Sequence, residues 1–225
     1  MLERPVLAVD VALFGLGAEG LMVLLHPRRE APFRGARALP GVALQADESL
    51  LDGARRALAS KAGLPAAAGA GVHLEQLATF DGLYRDPRGR TVSVVYLGLC
   101  RAPLPTPARG AAFTALREVT PGGLPFDHAQ VLEAALVRLR GKLRYTNLAA
   151  FLLPEAFRLE ELQRVYEAIL GRRLNRANFR TKLLRIGLLE RCGVVRDAPG
   201  EQGGRPPHLY RFTRGDLEAE DRDFL

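Results

Sequence analysis

The chain has 225 residues, enough for one large domain or two modest ones that each bury a core, and its 48% hydrophobic and 25% charged residues are an ordinary globular balance. No apolar run approaches the roughly 18 to 20 residues that span a bilayer, and Glu3 and Pro5 stand where a signal peptide carries its basic region, so a cytoplasmic protein with no membrane partner is expected. The net charge is +7, which directs attention to anionic partners.

The elements follow in order. "PVLAVDVALFG" and "GLMVLLHP" alternate as strands around the turn "LGAEG". "ESLLDGARRALASKAG" spaces Leu50, Leu51, Ala54, Leu58 and Ala62 as a helix, with Gly63 as its stop. "VHLEQLATF", the polar turn "DPRGR" and the β-branched, apolar "TVSVVYLGLC" complete a domain of strands around a helix, an α/β or α+β unit. Gly122 to Pro125 marks a boundary. "FDHAQVLEAALVRLRGKLRY" then reads as a long amphipathic helix with Asp127 as its N-cap, a joint after which the chain reads as helical until Glu190. "LEELQRVYEAILG" stops at Gly171, and "NRANFRTKLLRIG" starts from Asn175 and ends at Gly187. Two strand-like pieces, "LLERCGVVRD" and "HLYRFT", flank the loop "APGEQGGRPP", the order of a winged helix-turn-helix.

The basic charge is concentrated in this last part: residues 140–215 hold 16 Lys/Arg against seven Asp/Glu, while the final ten hold five acids and one Arg. Such asymmetry points to a polyanion partner. Steps of about 100° around the second helix put Phe179, Leu183 and Ile186 on one side and Asn178, Thr181, Lys182 and Arg185 on the other. These four side chains suit base edges and phosphates in a major groove, and Arg176 and Arg180 flank them as backbone contacts. A solvated polar face is the alternative. Arg205, between a glycine pair and a proline pair, is placed to enter a minor groove, although "GGRPP" also serves as an ordinary loop.

Cys100 and Cys192 lie far apart and are expected as reduced thiols. His26, His73, His128 and His208 are scattered, and no zinc-type site follows from spacing.

Taken together, "RALPG…ADESL…ARRAL…AGL", "EQLATFDGLYRDPRGRTVSVVYLGL", the block from "FDHAQVLEAALVRLRGKLRY" to "TKLLRIGLLE", and "GGRPPHLYRF" resemble the Nudix-related transcriptional regulators (NrtR), from about Val6 to Phe212. The resemblance implies an α/β Nudix-like N-terminal domain (mixed sheet with flanking helices) over 1–125, a connecting helix over 126–145, and a C-terminal winged helix-turn-helix over 146–225 with a short acidic tail. It further implies a homodimeric repressor of genes of NAD or related metabolism, released from double-stranded operator DNA by an ADP-ribose-like effector.

A working Nudix box laid on this chain puts its leading Gly at Val42, its first Glu at Glu48 and its Arg at Arg56. The three remaining acids become Ala57, Ser60 and Lys61, while Gly63 and Leu64 are kept. Magnesium needs clustered oxygen ligands, so no catalytic residue, metal or cofactor is assigned, and Glu48 is expected to pair with Arg56. The effector would meet Arg37, where the family usually has Trp, and Arg85, Arg88 and Arg90 of "RDPRGR", a segment that also reads as a hairpin turn with solvated arginines. Two rival readings remain: a regulator whose Nudix part is only a dimerisation scaffold, and a Nudix hydrolase of ADP-ribose-type substrates.

Overall fold

The computed structural model describes residues 4–65, 71–194 and 207–214. Two strands carry the architecture. β1 (Val6–Gly17) runs parallel to β6 (Thr91–Cys100), from Val6 opposite Thr91 to Gly15 opposite Cys100. Parallel neighbours cannot be joined by a tight turn, and the crossover between them holds β2 (Gly20–Pro27), β3 (Arg37–Ala38), β4 (Gly41–Ala43), α1 (Leu50–Ala62) and β5 (Val72–Phe80). The other pairings are antiparallel: β2 with the end of β1, β4 with its start, β3 and β7 (Ala112–Ala115) with β2, and β5 with β6. The result is a mixed seven-stranded sheet in the order β3-β2-β1-β6-β5, with β4 and β7 off that path.

Side chains of a strand alternate between faces, and β1 uses both. Val9, Val11 and Leu13 pack with Ala54, Ala57, Leu58 and Ala62 of α1. Ala12 and Phe14 face the opposite core, built with Val131, Ala135 and Leu139 of a second helix, α2 (His128–Lys142). The small side chains on α1 let it lie close to the sheet: a Cβ on Gly53 would stand 3.0 Å from Leu44 Cδ1 and 3.3 Å from Val9 Cγ2. Ser49 caps this helix by accepting from Asp52 N at 3.2 Å, and Gly63 ends it in the left-handed region at φ 66°, where glycine is favoured.

Beyond α2 the chain forms a 3-10 turn at Leu148–Phe151, α3 (Leu159–Leu170), α4 (Arg176–Arg185), β8 (Leu189–Val194) and β9 (His208–Phe212). β8 and β9 pair antiparallel, and Phe157 bridges to Tyr210 through backbone hydrogen bonds of 2.9 and 2.8 Å, adding a third edge to the wing. Asn175 caps α4 by accepting from Asn178 N at 3.0 Å. Phe179 and Leu183 are buried, and the Phe179 ring meets Tyr166 of α3 edge-on with centroids 5.1 Å apart. The core under α2 is continuous with α3, α4, β8 and β9, and α3 packs directly on β2. No helix among the described residues is long and apolar enough to cross a membrane.

Two expectations are corrected. The stretch before Glu190 is not helical throughout, because a 3-10 turn and extended backbone separate α2 from α3 and β8 begins at Leu189. Asp127 precedes α2 but makes no side-chain capping bond; its carboxylate is held by Arg85 instead. Cys100 is buried and Cys192 exposed, both as free thiols, and burial pushes the Cys100 thiol up to about 11.

Leu139, fully buried between sheet and helices, tests the shared core. Leu139→Ala is expected to cost roughly 2 to 5 kcal/mol in urea unfolding followed by far-UV circular dichroism. A loss below about 1 kcal/mol would mean that the core under α2 is not packed as described.

Candidate functional site

Two sites emerge, one in the sheet domain and one on α4. The first is a cavity of about 630 Å³ between the start of β1, the end of β2, β4, the last turn of α1 and the loop between β5 and β6. Eight Lys or Arg residues and three Asp or Glu residues line it, so its chemistry favours an anion.

The floor is a buried charge network. The Arg85 guanidinium donates twice to Asp127, from Nε at 2.7 Å and from Nη2 at 2.7 Å, and Nη2 also reaches Asp10 Oδ2 at 3.4 Å. Ser93 Oγ donates to the same Asp10 oxygen at 2.6 Å. These partners satisfy groups that burial would otherwise penalise. Arg85 comes from the loop after β5 and Asp127 immediately precedes α2, so the network ties the cavity to the joint helix. Next to it, His128 Nδ1 accepts from Leu39 N at 3.1 Å, and burial pushes the imidazole below its usual pKa, which keeps it a neutral acceptor.

One wall is aromatic and cationic. Phe126, at φ 57°, meets the Phe33 ring edge-on at 4.9 Å, and Arg28 lies over its face at 4.7 Å. Arg88 is held by Asp86 through Nε at 3.0 Å and Nη2 at 2.6 Å, and Arg90 Nη1 donates to the Asp81 carbonyl at 2.7 Å.

Glu48, the retained acid of α1's region, points into a different set of partners. It accepts from Arg56 Nε at 2.9 Å and from Gln45 N at 2.8 Å, while Arg56 also donates to the Ala43 carbonyl at 2.7 Å. The hydrogen bond from Arg56, then that from Gln45, holds the Glu48 carboxyl at about 2, well below the ordinary 4.5. Ala57 is fully buried against the sheet, and Ser60 and Lys61 face the cavity. Among the described residues no group of three or more His, Cys, Asp or Glu side chains is arranged to hold a metal ion. The donor set therefore does not fit the magnesium that a Nudix fold implies.

The second site is the face of α4 opposite Phe179 and Leu183. Asn178, Thr181, Lys182 and Arg185 are exposed there, and Arg176 and Arg180, also exposed, flank them, with Arg176 paired to Glu160 of α3. Arg172 and Arg173 extend the positive charge into the turn before α4, with Arg173 Nη1 3.1 Å from Glu167.

Comparison with known proteins matches both parts of the chain. A NUDIX domain model matches residues 4–138, and a model of the NrtR DNA-binding winged helix domain matches residues 149–212. An ADPR-responsive transcriptional repressor, NtrR, of Acinetobacter baylyi is 34% identical over 220 residues, covering 95% of this chain and 84% of the relative. The chain belongs to the NrtR family. The crystal structure of Shewanella oneidensis NrtR complexed with a 27mer DNA is 32% identical, covers 96% of this chain and 98% of its own, and superposes with a TM-score of 0.77. The NUDIX domain of the same NrtR, complexed with ADP ribose, is 33% identical with a TM-score of 0.52, covering 61% of this chain and 90% of its own.

Of the residues singled out in the sequence for the NrtR effector, Arg85, Arg88 and Arg90 meet in the cavity, whereas Arg37 is exposed on β3 and lies outside its lining. Arg205 falls outside the described residues. Sequence reasoning missed Asp10, Arg28, Phe126 and His128, which the fold brings to the same cavity. "FDH" at the start of a helix was the available signal, three consecutive polar or aromatic residues where an amphipathic pattern has not yet begun.

The Glu48–Arg56 pair gives a pH test. A depressed carboxyl contributes stability that is fully present above about pH 4.5 and is lost as pH falls toward 2. The difference in unfolding stability between the wild type and Glu48→Gln is expected to shrink between pH 6 and about pH 3. An unchanged gap across that range would remove the pair from the list of stabilising contacts.

Proposed function

We propose that this chain is a dimeric, non-enzymatic transcriptional repressor that binds a palindromic double-stranded operator through α4 and senses an ADP-ribose-like effector in the cationic cavity. Residues 1–125 act as the sensor, 126–145 as the joint and 146–225 as the reader with its acidic tail. The observation that carries the reading is the outward face of α4, where Asn178, Thr181, Lys182 and Arg185 are solvent-exposed, flanked by exposed Arg176 and Arg180, on a helix anchored by Phe179 and Leu183. Asn pairs with adenine, Arg and Lys with guanine or phosphate, and Thr with a methyl group or phosphate. The DNA and ADP-ribose complexes of the Shewanella protein, and the repressor role of the Acinetobacter relative, support the assignment of partners. Regulation of NAD-related genes belongs to the same proposal.

Hydrolysis is not part of it. The acids that would gather magnesium are Ala57, Ser60 and Lys61, and Glu48 is committed to Arg56.

Effector and operator are coupled through α2. The cavity's Arg85 clamps Asp127 at the start of that helix, and α2 packs on α3, which packs on α4. An anion in the cavity competes with Asp127 for Arg85 and so biases the position of α2 and the spacing of the two recognition helices. Asp127→Asn, which weakens the clamp, is expected to reduce the factor by which ADP-ribose lowers operator affinity. An undiminished factor would separate α2 from the signal.

The deciding experiment is fluorescence anisotropy on DNA from upstream of the protein's own operon, near physiological salt, titrated with ADP-ribose. Lys182→Ala or Arg185→Ala is expected to weaken specific binding by about 1 to 3 kcal/mol. Unchanged operator affinity in both variants would remove α4 as the reader. Operator binding that ignores ADP-ribose would favour a purely structural sheet domain or a different effector.

A further inference from the structure

The last turn of α1 places a positive charge where a Nudix fold gathers acids around a cation. Lys61 lines the cavity, and its ammonium makes no ion pair or hydrogen bond among the described residues. It is not needed to close its own helix. The carbonyls of Leu58 and Ala59 are taken by the cap at Gly63 and Leu64, and the Ala62 carbonyl accepts from Ala108 N at 2.7 Å. That bond pins the loop between β6 and β7 onto the helix end, where a Cβ on Gly63 would stand 2.6 Å from Ala108 Cβ. The loop in turn brings Arg109, at φ 60°, into the same cavity, also without an ion pair. His26 lines this end as well, and burial keeps it neutral with the nearby Lys61 and Arg28 charges pushing in the same direction.

Two of the three acids that line the cavity are already engaged, and the third, Glu30, belongs to the loop after β2 rather than to α1. Asp10 accepts from Ser93 and Arg85, Asp86 holds Arg88, and Glu48 is bound by Arg56 outside the cavity. A divalent cation at the end of α1 would thus face two uncompensated positive side chains and gain no carboxylate from the helix.

We infer that Lys61 and Arg109 form a metal-free subsite for a phosphate or diphosphate group, with the Lys61 ammonium supplying the charge that a bound cation supplies elsewhere in the Nudix fold. The inference rests on the cavity being the effector site and adds to it the group recognised and the residues that do so. Binding through Lys and Arg is direct and charge-assisted, so it needs no magnesium.

The test is isothermal titration calorimetry of the full chain with ADP-ribose, with magnesium present and with chelator in its place. Wild-type affinity is expected to agree within about twofold between the two conditions. Lys61→Ala is expected to weaken binding about 10- to 100-fold, the loss of one charge-assisted contact, with Lys61→Arg restoring most of it. Far-UV circular dichroism and the Tm of each variant report that it has folded. A wild type that binds only with magnesium, or a folded Lys61→Ala variant with unchanged affinity, overturns the subsite.

Inorganic diphosphate separates this inference from the choice of effector. If ADP-ribose does not bind but diphosphate in chelator raises the wild-type Tm, and Lys61→Ala and Arg109→Ala abolish that rise, the subsite stands and the effector reading fails. If neither compound binds, the subsite falls.

Discussion

The parallel pairing of β1 with β6 is the constraint from which the rest of the molecule follows. Parallel strands buried on both faces demand two apolar layers, and the alternation along β1 and β6 divides its side chains between α1 on one face and α2 on the other. The crossover that the pairing requires places α1 beside the start of β1, and the cavity opens where that helix, the strand and the β5–β6 loop converge. With α1 committed to the sheet through Ala54, Ala57 and Leu58, only its last turn is left to meet a ligand. The chemistry of the cavity therefore depends strongly on what occupies positions 60 and 61.

Retained fold and altered chemistry meet in α1. Glu48 and Arg56, two of the kept positions, form a closed pair that fastens the loop after β4 to the helix, with Arg56 also bound to the Ala43 carbonyl. Gly63 is kept because its backbone is left-handed and because Ala108 lies against it. Both roles are structural and persist whether or not the helix handles a metal. The buried Asp10–Arg85–Asp127 network is of another kind. A charged group enclosed without a partner is heavily penalised, so the three side chains stand or move together.

Much of the architecture was legible in the sequence. β2, β5 and β6 coincide with "GLMVLLHP", "VHLEQLATF" and "TVSVVYLGLC", because each is long enough and apolar enough to show its own pattern. Phe179 and Leu183 betrayed the inner face of α4 by helical spacing alone. By contrast, β3, β4 and β7 have two, three and four residues, too few for a period, and are strands only because β1 and β2 offer them edges to pair with. The cavity was legible in part: clustered arginines in "RDPRGR" pointed to it, but the partner of Arg85 lies 42 residues away. Asp127 read as a capping residue from its position, and only tertiary structure reveals that its carboxylate is turned to the cavity floor.

The apolar core that runs without a break from Phe14 and Val23 of the sheet through Leu139 to Phe179 and Tyr210 has an evolutionary consequence. A reader domain joined to its sensor by a bare linker can be exchanged among sensors by simple gene fusion. Here α3 rests on β2, so the winged domain takes part of its floor from the sheet domain. Shuffling either half would expose a large apolar face on both fragments. The heritable unit of this architecture is accordingly the pair, and changes on the two sides of that floor are bound to accumulate in concert.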